Sequence, residues 1–272
     1  MKYSVLMSVY KNDNPEFLKT ALESIYDNQT RKPDEIVVVF DGKLTDELYT
    51  VLNNFRKNKE KVVFYYPQET NQGLGEALRI GSEKCTGDYI FRMDSDDISV
   101  SERFEKQINY IENHPEIDVL GGTIGEFNNS LNEELRLRVC PSTHENIVRF
   151  AKKRNPMNHM TVCIKRSSLK KCGSYKTLIL LEDYYLWLRM ITEGFLFANL
   201  VDILVYARVG NGFIDRRGNK KQIKGWYFLQ KYMKKNKMVS SWRVLANMGN
   251  ILILTHCSKY IRGFVYKTIL RK

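Results

Sequence analysis

Gly87-Asp88-Tyr89-Ile90-Phe91-Arg92-Met93-Asp94-Ser95-Asp96-Asp97 is a short apolar strand that runs directly into three carboxylates within four positions. Carboxylates crowded at a strand end repel one another unless a positive charge sits between them. Hard oxygen donors suit Mg²⁺ or Mn²⁺, and such ions usually combine one or two carboxylates with the phosphates of a substrate. Asp94 and Asp96 are therefore expected to clamp a divalent metal and a diphosphate. A solvated acidic turn before a helix is the plainer reading of an Asp-rich segment. The strand in front favours the clamp, because ligands of open α/β sheets bind beyond the carboxyl ends of strands.

Outward from this stretch the pattern repeats. Tyr3–Val9 reads as a buried strand, and Pro15–Tyr26 as a helix with Phe17, Leu18, Ala21, Leu22 and Ile25 on one face, started by Asp13 or Asn14 ahead of the proline. Ile36–Phe40 is a second strand, ending at Asp41-Gly42 and followed by helical spacing at Leu48, Val51, Leu52 and Phe55. Val62–Tyr66 is a third, and Asn71-Gln72-Gly73-Leu74-Gly75 opens a helix through Ala77, Leu78 and Ile80. Strand and helix alternate with helices long enough to cross over, which predicts a Rossmann-like, mainly parallel α/β sheet flanked by helices. After Asp97 the spacing predicts a helix from Ser101 to Pro115, a strand at Asp118–Gly122 and a half-exposed strand at Leu135–Val139. A helix near Glu145–Lys153, an apolar segment Met160–Ile164 and helical spacing from Tyr185 to Ile191 follow.

With 272 residues and 43% hydrophobic content the chain is one large domain, or one with an appendage. Its five scattered cysteines form no CxxC pair, which argues against a disulfide scaffold or zinc site and fits a reducing cytosol. The segment after Met1 is too short for a signal h-region, so export is not expected. The net charge of +12 is unevenly spread: residues 216–272 hold 15 Lys and Arg and no Asp or Glu, leaving 28 basic against 31 acidic residues for 1–215. A near-neutral domain with a basic, partly apolar tail fits a membrane-surface adaptor better than a nucleic-acid reader.

Three strand ends share one edge of such a sheet: Val9-Tyr10, Asp41 and Asp94-Ser95-Asp96. An Asp there can accept from a pyrimidine ring N–H while a tyrosine stacks on the ring. A dinucleotide site is disfavoured, since Leu78 stands where the third glycine of GxGxxG belongs. A phosphatase of the haloacid dehalogenase type, with Asp94 as nucleophile, is the alternative, although its DxD belongs near the start of the core. A metal clamp also calls for a general base on the acceptor side, and Glu182-Asp183 is the best-placed candidate outside the first half.

Tyr10, Val39-Phe40-Asp41-Gly42, Asn71-Gln72-Gly73-Leu74, Arg92–Asp97, Arg103-Phe104-Glu105-Lys106-Gln107 and Glu182–Arg189 together resemble a family 2 glycosyltransferase of the GT-A fold. The subgroup it is most similar to is the bacterial exopolysaccharide and O-antigen enzymes akin to amylovoran biosynthesis transferases. The resemblance covers about residues 3–210. It implies a UDP-sugar donor, Mn²⁺ or Mg²⁺, and inverting transfer of a hexosyl or N-acetylhexosaminyl group to an oligosaccharide carried on a polyprenyl diphosphate. It further implies a donor site of Val9, Tyr10, Asp41 (uracil), Asn71, Gly73, Asp94 and Ser95, with Asp96 as metal ligand. Asp183 corresponds to the base with Glu182 beside it, His159 to an acceptor or phosphate contact, and Arg103 and Gln107 to packing or ion-pairing positions. Many members carry Arg-Asn in the helix after Asn71-Gln72-Gly73; this chain has Leu78-Arg79, with Arg79 as a possible substitute. The expected organisation is a catalytic domain over 1–215, with a nucleotide-sugar half to about 122 and an acceptor half from 123. A basic helical region over 216–272 follows, either packed on the domain or, preferentially, lying on the inner face of the plasma membrane. The uninterrupted apolar run Ile251–Leu254 is far below the roughly 20 residues a spanning helix needs.

Overall fold

The structure is a computed structural model that describes residues 1–128, 130–131, 135–178, 180–209 and 221–256. The first half alternates as expected: β1 (Tyr3–Val9), α1 (Pro15–Ile25), β2 (Glu35–Phe40), α2 (Asp46–Arg56), β3 (Val63–Pro67), α3 (Leu74–Lys84) and β4 (Tyr89–Met93). β1 pairs in parallel with β2 and β4, and β2 with β3, so Val9, Phe40, Pro67 and Met93 finish along one edge. Strands buried on both faces need no polar alternation, which is why β1 and β2 read as continuous apolar runs. Tyr3, Val5, Met7 and Val9 face one core with α1, α2 and α4 (Arg103–Asn113), while Leu6, Val37 and Val39 face the other with α3 and α7 (Glu182–Thr192).

The second half adds β5 (Ile98–Ser99), β6 (Val119–Phe127), β7 (Arg136–Arg138), α5 (His144–Ala151), β8 (Cys163–Lys165), α6 (Arg166–Lys171) and β9 (Phe197–Arg208). Among the described residues the sheet has nine strands in the order β3-β2-β1-β4-β8-β6-β9-β5, with β7 beside β6. β8 runs antiparallel between β4 and β6. The apolar segment Met160–Ile164 thus splits into a 3₁₀ turn at His159–Thr161 and this short strand. The four described cysteines, Cys85, Cys140, Cys163 and Cys172, are buried free thiols, and Cys257 lies outside the described residues.

The first part of the tail takes one of its two expected arrangements, packed on the domain. The boundary near Asp215 lies outside the described residues. Beyond it, α8 (Lys221–Lys235) and Val239 close a third apolar cluster: Leu229, Met233 and Val239 pack on Ala151, Leu181, Tyr184 and Leu188. This stretch covers the domain instead of lying free for a lipid surface. α9 (Ser241–His256) then packs on α8.

Candidate active site

The acidic turn after β4 is held from below by α4. Arg103 is fully buried; its Nη2 donates to Arg92 O (2.8 Å) and its Nε to Gln107 Oε1 (3.1 Å). Gln107 Nε2 in turn donates to Leu120 O and Thr161 O at 3.2 and 2.9 Å, tying β4, β6 and the 3₁₀ turn together. The Arg103-Gln107 pair thus works through backbone carbonyls. Burial pushes the Arg103 guanidinium down to about 9, still cationic at neutral pH.

Above that support, Asp94, Asp96 and Asp97 bring carboxylate oxygens within 4.8 Å of one another. Arg92 Nη2 pairs with Asp94. Asp97 is buried and accepts from Arg208 N at 2.8 Å, and burial together with Asp94 and Asp96 pushes it well above the carboxylate range. A fourth carboxylate joins from the β1–α1 loop: Asp13 Oδ2 accepts from Ser95 Oγ (2.8 Å) and Tyr10 N (3.1 Å). Burial, with Asp96 and Asp94 adding repulsion, raises Asp13 to about 6. Asn14, not Asp13, caps α1. Asp94, Asp96 and Asp97, with Asp13 tied to their turn through Ser95, form a hard oxygen donor set that Mg²⁺ or Mn²⁺ fits.

Beside this cluster, Asp41 ends β2 almost fully buried, its two oxygens accepting from Gln72 N (2.7 Å) and Gly73 N (3.0 Å). Asn71 Nδ2 donates to Asp41 O at 3.2 Å, so the Asn71–Gly73 loop is clipped to the end of β2. Gly42 is required there: its φ is +87°, and a Cβ would stand 2.8 Å from Asn71 N. Val9 is buried, whereas the Tyr10 ring beyond it is 41% exposed and free to stack.

Glu182 and Asp183 open α7 after Leu181, and Leu180 before it has a φ of +60°, which places a bulky residue in the left-handed region. Strain of this kind persists where surrounding structure enforces it. Asp183 Oδ2 accepts from Asn155 Nδ2 and Oδ1 from Tyr184 N, both at 2.6 Å. Burial raises Asp183 while those two hydrogen bonds oppose the rise. Glu182, packed where a Cβ on Gly75 would lie 3.3 Å from its own Cβ, is raised to about 7 by burial and by Asp183. His159 Nε2 and Tyr175 Oη are hydrogen-bonded at 3.0 Å, and burial with the Arg92 charge keeps the imidazole neutral.

Arg92 links the two acid groups: it pairs with Asp94, and its charge also acts on Glu182 and Asp183. Val9, Tyr10, Asp41, Asn71, Gly73, Asp94, Ser95 and Asp96 thus fall along the strand-end edge, and Glu182, Asp183 and His159 adjoin it through Arg92. Arg79 does not join them. Its Nε and Nη2 bind Glu76 and its Nη1 binds Glu83 at 2.6 Å, all on α3. Asp13, Arg92, Asn155 and Arg208 were missed as site residues. Arg92 had a signal: a charge in the middle of an otherwise apolar strand.

The model of Glycosyl transferase family 2 matches residues 4–178. An uncharacterized glycosyltransferase of Haemophilus influenzae is 47% identical, over 85% of each chain. The amylovoran biosynthesis glycosyltransferase AmsE of Erwinia amylovora is 40% identical over 84% of this chain and 82% of its own. The Escherichia coli UDP-Gal:alpha-D-GlcNAc-diphosphoundecaprenol beta-1,3-galactosyltransferase is 32% identical over 100% and 97%. In fold, S. aureus TarS 1-349 in complex with UDP superposes with a TM-score of 0.67 at 20% identity, covering 99% of this chain and 76% of that one. The chain spans 46% of the longer TarS chain. The mannosyltransferase PcManGT of Pyrobaculum calidifontis, in complex with GDP-Man and Mn2+, gives 0.63 at 14% identity over 98% and 79%. A GT-A sheet with this site edge, matched by the family model across most of the catalytic region, makes the chain a member of glycosyl transferase family 2.

Proposed function

We propose that this enzyme transfers a hexosyl or N-acetylhexosaminyl group from a UDP-sugar to a hydroxyl of a polyprenyl-diphosphate-linked oligosaccharide, with inversion, during assembly of a bacterial surface polysaccharide. The observation that carries the reading is the cluster of Asp94, Asp96 and Asp97 on the same strand-end edge as the Asp41 loop, with a second acid pair at the start of α7. Tyr10 and Asp41 receive the uracil, the ring by stacking and its N–H by a carboxylate lone pair left over from the backbone contacts. Asp94 and Asp96 hold Mn²⁺ or Mg²⁺, which when bound supplies the charge that stabilises a leaving diphosphate. Asp183, fixed by Asn155 and Tyr184 N, takes the proton of the attacking acceptor hydroxyl. The relative acting on a diphosphoundecaprenol-linked sugar supports the acceptor class and a peripheral place at the inner face of the plasma membrane.

Thermal shift tests it. UDP and Mn²⁺ together should stabilise the protein more than either alone, by roughly 2.7 kcal/mol when ligand is about 100-fold above its Kd. Asp96→Ala should abolish that joint shift while its own melting temperature in buffer stays close to wild type, because Asp96 is only partly buried. A joint shift with GDP in place of UDP would move the donor class. Hydrolysis of a generic aryl phosphate would restore the phosphatase alternative.

A further inference from the structure

Helix α9 is turned inside out. Its inward positions are Val244, Asn247, Ile251 and Thr255, and the buried Asn247 donates through Nδ2 to Lys152 O and Gln230 Oε1, both at 3.0 Å. Its outward positions are Trp242, Leu245, Leu252 and Ile253, exposed by 78, 64, 43 and 67%. At 3.6 residues per turn these four fall within an arc of about 100°, with Gly249 between them. Singly exposed aliphatic residues are ordinary, but a tryptophan and three aliphatics aligned on one arc, opposite a face partly made of Asn and Thr, form an apolar stripe. Exposed Lys234, Lys235 and Lys237 lead into the helix, and exposed Arg243 flanks Trp242.

We propose that this outward face of α9 is a docking surface for an anionic lipid leaflet. The stripe has the composition of an interfacial helix: aliphatic residues with one Trp, next to Arg243 and preceded in the chain by exposed lysines. Charge selects the occupant. The 15 basic residues of 216–272, unaccompanied by any acid, would be set against an identical set by a second copy of the chain, whereas an anionic leaflet complements them. A nucleic acid would satisfy the charge but offers aliphatic side chains nothing to bury them. No described helix is long and apolar enough to cross a membrane, so the contact lies along the surface. This deepens the peripheral-membrane part of the proposed function, and it stands on α9 independently of the acid clusters.

The test uses the full-length protein, floated with phosphatidylcholine vesicles with and without phosphatidylglycerol. Wild type should float with the anionic vesicles alone and be released by high salt. Its tryptophan emission should shift to the blue on binding, because Trp187 is buried, Trp226 is half-buried against Tyr184 and Trp242 is the exposed indole, and the shift should vanish in Trp242→Ser. Leu245→Ser with Ile253→Ser, and separately Trp242→Ser, should cut vesicle partitioning by at least about tenfold. Their melting temperatures and their joint UDP and Mn²⁺ shift should be unchanged. That last measurement keeps the two readings apart, since transfer chemistry can stand when vesicle binding fails, and the reverse. The proposal is overturned if wild type does not bind anionic vesicles or if the variants float as it does. It is equally overturned if the substitutions dissolve a wild-type dimer, which would make the face a contact between copies. A lowered melting temperature in both variants would show the face covered by another part of the chain, with the same consequence.

Discussion

Two nitrogens of Arg92, Nε and Nη1, are buried without a hydrogen-bond partner, and the third is paired with Asp94. The guanidinium therefore acts mainly as charge, lying among acids that burial has pushed toward protonation. Removing one member of a buried pair costs on the order of 3–5 kcal/mol when a charge is left uncompensated. Arg92→Met should lose about that much stability at neutral pH by chemical denaturation, and the loss should shrink as pH falls past about 7, where Glu182, on which the Arg92 charge acts, takes up its proton. The acid pair at α7 offers a second test. A carboxyl whose folded pKa is raised holds its proton longer when folded, so Glu182 favours the folded state below 4.5 and loses that contribution as pH climbs to about 7. The change amounts to roughly 3 kcal/mol. Glu182→Gln should accordingly match wild type in acid and exceed it in stability above pH 7. Asp183→Asn should keep the UDP and Mn²⁺ shift yet lose about 10²–10⁴ in transfer rate. Near wild-type transfer by Asp183→Asn, with the loss in Glu182→Gln instead, would hand the base role to the neighbour.

Local elements explain how much could be read in advance. β1 to β4 were legible because each is a short apolar run ended by turn chemistry, and Asp41, Asp94 and Asp96 followed from knowing where those runs stop. β9 was not. Its pairing with β6 jumps from Leu200 opposite Gly122 to Ile203 opposite Thr123, so two extra residues break the alternation, and Val201 is left 74% exposed. Arg208 at its end, which reaches Asp97 from 111 residues away in sequence, went with it. The role of Asp13 stayed hidden for a related reason: beside Pro15 either Asp13 or Asn14 could cap α1, and the structure gives the cap to Asn14 and turns Asp13 to the distant Ser95. The turn after β2 gives a prediction of its own. Gly42→Ala puts a side chain at positive φ and against the Asn71 backbone, so it should cost on the order of 1–3 kcal/mol. It should also weaken UDP binding measured by calorimetry, because the Asn71–Gly73 loop must shift; full affinity would show that the loop does not meet the donor.

Across the whole molecule, the nucleotide-sugar half and the acceptor half are not separable bodies. β8, from the later half, lies between β4 of the earlier one and β6, which itself crosses residue 122, and Ala198, Leu204, Val205 and Ala207 share a core with Tyr3, Val5 and Phe91. Residues 1–122 expressed alone should therefore show no cooperative unfolding transition, and a sharp transition from that fragment would refute the dependence. The same strand order has a meaning in time. A ribosome adding about 5–20 residues per second finishes β4 several seconds before it reaches β8 and longer still before β9. Throughout that interval the emerging sheet presents the open backbone of β4, with Tyr89, Ile90 and Phe91 on it, as an edge that any neighbouring nascent chain could extend. The order in which the strands are laid down thus makes slow synthesis hazardous to this protein and a chaperone waiting at the exit useful to it.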